Sequence, residues 1–489
     1  MRGQVLVIDA GTSGVRAAIV DRSGRITTSH RVELLTTSDS PERVEFDPAA
    51  LAAAAIELGT AAIEADGAVD AVGITNHRCS TVVWDRRRGT PIGPGLGWQD
   101  RRTIARCGEL AELGFIVSPN TTATKAEWLV QHALDTTGTR PDDVCVGTVD
   151  SWLVWTLSRG EAHITDVTNA SSSGMWSPDE GAWSVALLDA CHVPLGAMPA
   201  IVDSAGVSAI AHALPGAPPI AGIAGDQQAS LVGQGCTDRG AAKLTFGTGG
   251  MLDVCLDAQR PERAFGARGT LAMVAWSQAG VPVWMREAVM LSCGSNIVWL
   301  RDQLGIIDDV EATDRIAAEC PDSGGVVFVP ALHGLGTPSW DFGARGTLFG
   351  ITATTDRAHI VRAVLEGIAE RAADLVEAAE ADGEVSISVL GIDGGMTRNA
   401  TFTAAVADAI GRPVDVAAEI DATVLGAAFL AGSTAGIWPS PRARDTPRAP
   451  TRRIEPRSRP ALDAWRDDRR GTWREACRRA GALVAPTTR

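Results

Sequence analysis

Apolar residues recur along this chain with two spacings. Short, nearly continuous apolar runs predict buried strands at 4–9 (QVLVID), which a glycine turn follows, at 71–76 (AVGITN), at 218–226 (PPIAGIAGD), which ends in an acid, and at 386–395 (SISVLGIDGG), which ends in a diglycine turn. VRAAIVD at 15–21 follows the first run after a turn of Gly, Thr and Ser, so this segment reads as strand–turn–strand. KLTFGTGG at 243–250 is a second β run ending in a Gly-Thr-Gly turn. A spacing of three to four residues predicts helices at 48–65, with Pro48 in the first turn, and at 125–134, 150–157 and 359–381. QQASLVGQG opens a helix directly after Asp226, and the small residues of 423–432 predict a helix able to approach other backbone closely. The Pro/Arg-rich stretch that follows reads as an extended, solvated strap leading to a charged helix at 461–481.

The turns at Gly11-Thr12, Gly247-Thr248 and Gly394-Gly395 repeat one theme: a β run broken by Gly-Thr or Gly-Gly. A length of 489 residues exceeds one ordinary core. Two related α/β domains are therefore expected, residues 1–237 and 238–437, with 438–489 as a tail. Facing each other across a cleft, they would bring the turns together.

Charge and cysteine usage narrow the function. Lys and Arg number 44 against 59 Asp and Glu, a formal charge of −15, which disfavours nucleic acid and anionic membrane surfaces as partners. An anionic nucleotide is not disfavoured, because phosphate sites are built locally from N–H groups and single cations. The nine Cys are scattered, with no CxxC pair or Cys/His cluster, which excludes a zinc signature and fits a reducing, cytoplasmic setting. No signal peptide and no apolar run long enough to span a bilayer are read from the sequence.

Several segments carry residue types suited to phosphoryl transfer, though each alone has an ordinary structural explanation. In IDAGTSGVR (8–16) the turn offers N–H groups and hydroxyls to an anion, Asp9 can hold a hydrated magnesium ion and Arg16 adds a cation; an ordinary hairpin has the same pattern. FGTGG (246–250) presents Gly247, Thr248 and Gly249, and GGMTRN (394–399) offers flat glycines beside Asn399, either as nucleotide contacts or as a plain turn and a helix entry. Asp226, at a strand end before a helix, reads as an N-cap or as the carboxylate that accepts a hydroxyl proton. Arg78 and Trp98 in 73–103 read as the lining of a small polar pocket, or as a surface charge and a core residue.

Taken together, these segments resemble the FGGY carbohydrate kinases and, within them, the glycerol kinases. The resemblance runs from about residue 4 to 437. NTTATKAEWL (120–129), through Lys125 and Trp128, looks like the first family signature, and GTLFGITATTDRAHIVRAVLEG (346–367), with His359 and Glu366, like the second. AGDQQAS, HITDVTNAS, WLRDQLG and VPALHGLGTPSWD are similar to glycerol-kinase segments. The resemblance implies an actin-like ATPase fold with two ribonuclease-H-like domains, Mg-ATP as phosphoryl donor, and a small polyol or sugar as acceptor. It implies Asp226 as catalytic base and Asp9 as the acid near magnesium, through water. Thr12, Ser13, Gly14 and Arg16 match the first phosphate loop, Gly247 and Thr248 the second. Gly294, Gly395 and Asn399 match nucleotide contacts. Arg78, Cys79, Trp98, Asn120, Asp226 and Gln227 occupy polyol-site positions. Homo-oligomerisation is left open.

The departures fall in the alcohol site. Where glycerol kinases carry Arg-Glu, this chain has Arg78-Cys79; a substrate-facing Tyr is matched by Asn120, a Phe by Met251, and a nucleotide-contacting Gln by Val298. The expected function is an ATP-dependent kinase of a polyol or sugar with an altered substrate site. The alternatives are glycerol kinase proper and a non-catalytic ATP- and sugar-binding sensor.

Overall fold

In the strand Gln4–Gly11 the side chains of Val5, Leu6, Val7, Ile8 and Ala10 are all fully buried. Both faces of the strand are covered, so its sequence is an unbroken apolar run and not an alternation. The computed structural model describes residues 2–40, 42–417, 421–441, 451–457 and 460–481. Contacts divide the chain into two units, one formed by Met1–Gly235, Met273–Val283 and Asp421–Pro447, the other by Cys236–Ala272, Trp284–Ile420 and Arg448–Arg489.

The sheet of the first unit runs Ile26–Glu33, Gly14–Asp21, Gln4–Gly11, Ala71–Asn76, Pro219–Gly225, Ala205–Ile210. The first two pairings are antiparallel, the next two parallel and the last antiparallel. In the second unit, residues 284–290 of Val281–Met290 are followed by Gly250–Asp257, Ala242–Phe246, Leu390–Asp393, Val414–Val416 and Arg452–Ile454. The directions repeat: two antiparallel pairings, two parallel, one antiparallel. A meander of three strands followed by parallel strands added at one edge is the ribonuclease-H-like order, and its repetition gives the actin-like ATPase fold.

The helix Pro48–Asp66 starts where Asp47 accepts hydrogen bonds from the amides of Ala49 and Ala50, with Pro48 in its first turn. It is long and apolar enough to cross a bilayer by length and composition alone. In this fold its residues Leu51, Ala52, Ala55, Ala62 and Ile63 join Leu6 and Ile8 in the core of the first unit.

The helix Ala422–Thr434, expected to close the second domain, belongs to the first unit. Its small residues are the reason. A Cβ on Gly426 would stand 1.8 Å from the Ala229 carbonyl oxygen, and one on Gly233 1.8 Å from that of Ala422. The helices Asp226–Gly233 and Ala422–Thr434 therefore meet backbone to backbone. The same helix lies on the sheet at Gly73 and Gly222, where a Cβ would come within 2.6 Å of Ala427 O and 2.4 Å of Ala431 N.

In the second unit the predicted strand 386–395 shortens to Leu390–Asp393. Gly394, at φ 94°, turns the chain against Phe246, whose carbonyl oxygen a Cβ would approach to 2.3 Å. The tail is not merely a solvated strap. Arg452–Ile454 forms the edge strand, and the helix Pro460–Gly481 is fastened to Arg357–Gly383. Arg469 reaches Glu370 and Glu366 at 2.6 and 2.9 Å, Arg470 reaches Asp374 at 2.6 Å, and Trp473 donates to Asp374 at 3.0 Å. The Pro/Arg-rich residues 442–450 and 458–459 lie outside the described residues.

The backbone contact between the two helices gives a direct test. Gly426→Ala should cost about 1–3 kcal/mol and lower Tm, because the carbonyl opposite cannot rotate away. Gly471→Ala, at a helical glycine with open space around it, should leave Tm unchanged or raise it. Equal melting of the wild type and Gly426→Ala would refute the packing argument.

Candidate active site

Asp226 occupies the first position of the helix Asp226–Gly233, immediately after the strand Pro219–Gly225. One of its carboxylate oxygens accepts from the Gln227 amide at 2.8 Å, and the same oxygen lies 3.5 Å from Nε of Arg78. Cross-strand register brings other candidates to the same end of the sheet. Asp9 pairs with Arg16 on one side and Thr75 on the other, and Asn76 pairs with Gly225. Burial, reinforced by the carboxylates of Asp226 and Asp421, pushes Asp9 up to about 7 against the pull of Arg16 and Arg31.

The hairpin between Gly11 and Gly14 exposes Thr12 and Ser13. Gly14 is required there: a Cβ would stand 2.1 Å from the Val32 carbonyl oxygen. Arg31 donates to Ser13 Oγ at 3.1 Å. Arg16, expected as a phosphate-loop cation, is paired with both oxygens of Asp421 and donates to Ser29 Oγ at 2.8 Å. Asp421 was absent from the expected site, and no local pattern links it to Arg16, 405 residues away.

The polyol-site positions Arg78, Cys79, Trp98 and Asn120 come together in the first unit. Arg78 packs over Gly225, where a Cβ would meet its Cγ at 2.6 Å, and it reaches Met273 Sδ at 3.3 Å. Cys79 adopts φ 63°, and its thiol donates to the Ser172 carbonyl at 3.1 Å. The Trp98 backbone is held from both sides: its N–H donates to Ser80 Oγ at 3.0 Å, and its carbonyl accepts from Asn120 Nδ2 at 2.9 Å. Its indole N–H donates to Thr12 Oγ1 at 3.2 Å, so the expected pocket residue touches the expected phosphate loop.

Behind this layer Lys125 is fully buried and donates to the Gly97 and Asn120 carbonyls at 3.2 and 3.0 Å. Burial pushes its ammonium down to about 8. Burial, with Lys125 nearby, likewise holds His77 down at about 4, so a neutral imidazole bonds Ser80 Oγ at 2.6 Å. Met273 and Ser172 were missed by sequence reasoning; Ser172 Oγ lies 3.5 Å from Met273 Sδ.

In the second unit the loop 247–249 is tied to the start of the helix Gly294–Asp302. The Gly247 carbonyl accepts from Gly294 at 2.9 Å, and the Thr248 carbonyl accepts from Cys293 at 2.9 Å and Ser295 at 3.2 Å. Gly294 is needed for that approach, since a Cβ would stand 2.7 Å from Gly247 O. Gly395 has open space over its α-carbon. Asn399, expected to face a nucleotide ring, caps the helix Ala400–Ile410: its oxygen accepts from Phe402 N at 2.7 Å and its nitrogen donates to Thr313 at 3.1 Å. Met251 pairs with Thr245 across the hairpin, and Val298 is exposed.

Among the described residues no group of three or more His, Cys, Asp or Glu side chains is placed to hold a metal ion directly. The excess of negative charge around Asp9 nevertheless suits a hydrated divalent cation, which would relieve it.

Comparison with known proteins identifies the family. The family model described as the N-terminal domain of the FGGY family of carbohydrate kinases matches residues 4–233, and that of the C-terminal domain residues 242–435. A glycerol kinase of Aromatoleum aromaticum is 38% identical over 98% of this chain and 99% of its own length. The crystal structure of Plasmodium falciparum glycerol kinase with ADP superposes with a TM-score of 0.90 at 27% identity, covering 99% of this chain and 98% of its own. That of a xylulose kinase from Brucella ovis does so with a TM-score of 0.88 at 26% identity, covering 98% of this chain and 100% of its own. With both family domains matched in order across nearly the whole chain, the protein belongs to the FGGY family of carbohydrate kinases.

Proposed function

We propose that this chain transfers the γ-phosphate of ATP to a hydroxyl of a small polyol or sugar other than glycerol, with Asp226 as general base. The observation that carries the proposal is the placement of Asp226 at a strand end, 3.5 Å from Nε of Arg78, in a carbohydrate kinase. The polyol positions belong to residues 1–237. The nucleotide contacts Gly247, Thr248, Gly294 and Gly395 belong to 238–437, and Asn399 acts there by shaping the turn that it caps. The setting is cytoplasmic.

The chemistry asks mainly for alignment and charge compensation. The substrate hydroxyl donates to Asp226, held 3.5 Å from Nε of Arg78, and the proton passes to the carboxylate as the oxygen attacks phosphorus and ADP leaves. Thr12, Ser13, Gly14 and Thr248 offer hydroxyls and N–H groups to the phosphates. Arg16 sets the charge around Asp9 while paired with Asp421. ATP arrives with magnesium, which Asp9 would hold through water; bound there, the ion neutralises phosphate charge.

Two features support a substrate other than glycerol. The Cys79 thiol is itself a donor to Ser172, so it supplies no carboxylate to accept from a substrate hydroxyl. Asn120, shorter than Tyr, donates its amide to the Trp98 carbonyl at 2.9 Å. A longer polyol or a ketose fits this reading. Glycerol itself is the second reading, favoured by the 38% identity to a glycerol kinase across 98% of the chain.

ADP release from Mg-ATP, measured across glycerol, tetritols, pentitols, ketopentoses and ketohexoses, should rise with one longer alcohol more than with glycerol. A maximum with glycerol would establish the second reading. Asp226→Asn should lower kcat by ~100-fold or more while ATP still binds; retention of most turnover would remove Asp226 from the role. Cys79→Glu combined with Asn120→Tyr should raise kcat/KM for glycerol about tenfold, the worth of one buried hydrogen bond of roughly 1–3 kcal/mol. No gain would sink the specificity argument.

Asp9 carries a pH signature. With its folded value raised to about 7 from an ordinary 3.8, the folded chain holds a proton that the unfolded chain has lost between those values. Stability therefore falls as pH rises through that window and stays reduced above it. Asp9→Asn should melt higher than wild type at pH 8 without magnesium or nucleotide, and the gain should vanish below about pH 4. A lower Tm at pH 8 would contradict this account.

A further inference from the structure

Gly225, the residue before the proposed base, has a backbone N–H that the sheet does not satisfy. The strand Pro219–Gly225 is flanked on one side by Ala71–Asn76 and on the other by Ala205–Ile210, which begins at Ala205, opposite Gly222. Ile223 still finds a backbone acceptor, the Ser204 carbonyl, at 2.9 Å. Two residues further on, the ladder has run out. The N–H of Gly225 donates instead to a side chain, Oγ1 of Thr168, at 2.9 Å.

Thr168 is fully buried and has a defined role in that bond. Its hydroxyl donates to Oδ1 of Asp166 at 2.8 Å, so its oxygen is left to accept from Gly225. Asp166 is itself immobilised. It caps the short helix Val167–Ser172 through the amides of Thr168 and Asn169, both at 3.0 Å, and accepts from Asn169 Nδ2 at 3.0 Å and Ser204 Oγ at 2.7 Å. Asn169 and Asn76 exchange reciprocal amide bonds at 3.0 and 3.1 Å. A rigid polar block thus joins the ends of three strands to a single hydrogen bond on the residue before Asp226. On its other side, Gly225 is covered by the Arg78 side chain.

We infer that Thr168, held by Asp166, is a positioning residue for the phosphoryl-transfer step: it fixes the point at which the chain leaves the sheet and so aims the Asp226 carboxylate at the substrate hydroxyl. The inference rests on Asp226 being the base. Displacement of that carboxylate by a fraction of an ångström weakens in-line attack while leaving the contacts that bind ATP and alcohol in place.

The test is steady-state kinetics of the full chain with Mg-ATP and the alcohol of the panel that the wild type turns over fastest. Thr168→Val should lower kcat by ~10–100-fold, with KM for ATP and for the alcohol each within about threefold of wild type. Thr168→Ser, which keeps the acceptor oxygen, should restore kcat to within about threefold. If Thr168→Val does not fold, Thr168→Ala serves in its place and must show the same split. A wild-type kcat in the variant lacking the hydroxyl overturns the inference. So does a loss carried by KM, or a loss that Thr168→Ser shares. Asp226→Asn measured alongside separates the failures: if it is nearly inactive while Thr168→Val is normal, only the positioning role falls. If Asp226→Asn remains active, or no alcohol raises ADP release in the wild type, the base or kinase reading falls and this inference with it.

Discussion

Four glycines determine where the helix Ala422–Thr434 can lie. Gly73 and Gly222 on the sheet, Gly233 on the helix that begins with Asp226, and Gly426 on the returning helix each stand against another segment's backbone at distances that exclude a Cβ. Interiors pack as tightly as molecular crystals, so a methyl group at such a contact has nowhere to go. The contact sets the axis of the helix Asp226–Gly233 against the sheet, and with it the direction in which Asp226 leaves the strand. The Asp421–Arg16 ion pair depends on it too, because Asp421 is the residue just before the returning helix.

Around that frame, charge is distributed at some cost to stability. Burial and the carboxylates of Asp226 and Asp421 raise the proton affinity of Asp9, and Arg16 and Arg31 offset this only in part, which leaves Asp9 near 7. A folded protein with no cationic ligand would be better off without that carboxylate. Under the proposed function a hydrated cation accompanying the polyphosphate would offset that clustered charge.

On the alcohol side, Trp98 is fixed more firmly than its substituted neighbours suggest. Ser80 and Asn120 hold its backbone from either side, and Lys125 holds the carbonyl of Asn120. Asn120 therefore preserves the wall of the site even as it gives up bulk, and Cys79 satisfies its own thiol on Ser172.

Much of this was legible in the chain itself. Strands buried on both faces give unbroken apolar runs, helices give a period near 3.6, and turns with positive φ or close approach demand glycine. Local sequence therefore specified Gln4–Gly11, Arg357–Gly383 and the loops at 11–14 and 247–249, and the order of motifs specified the family. Asp421 beside Arg16, Met273 beside Arg78, Thr168 bonded to Gly225 and Asn399 bonded to Phe402 and Thr313 were decided only by the tertiary structure. Each depends on which acceptor or cation remains near a buried group once distant segments have packed, and the period of a single element does not encode that meeting.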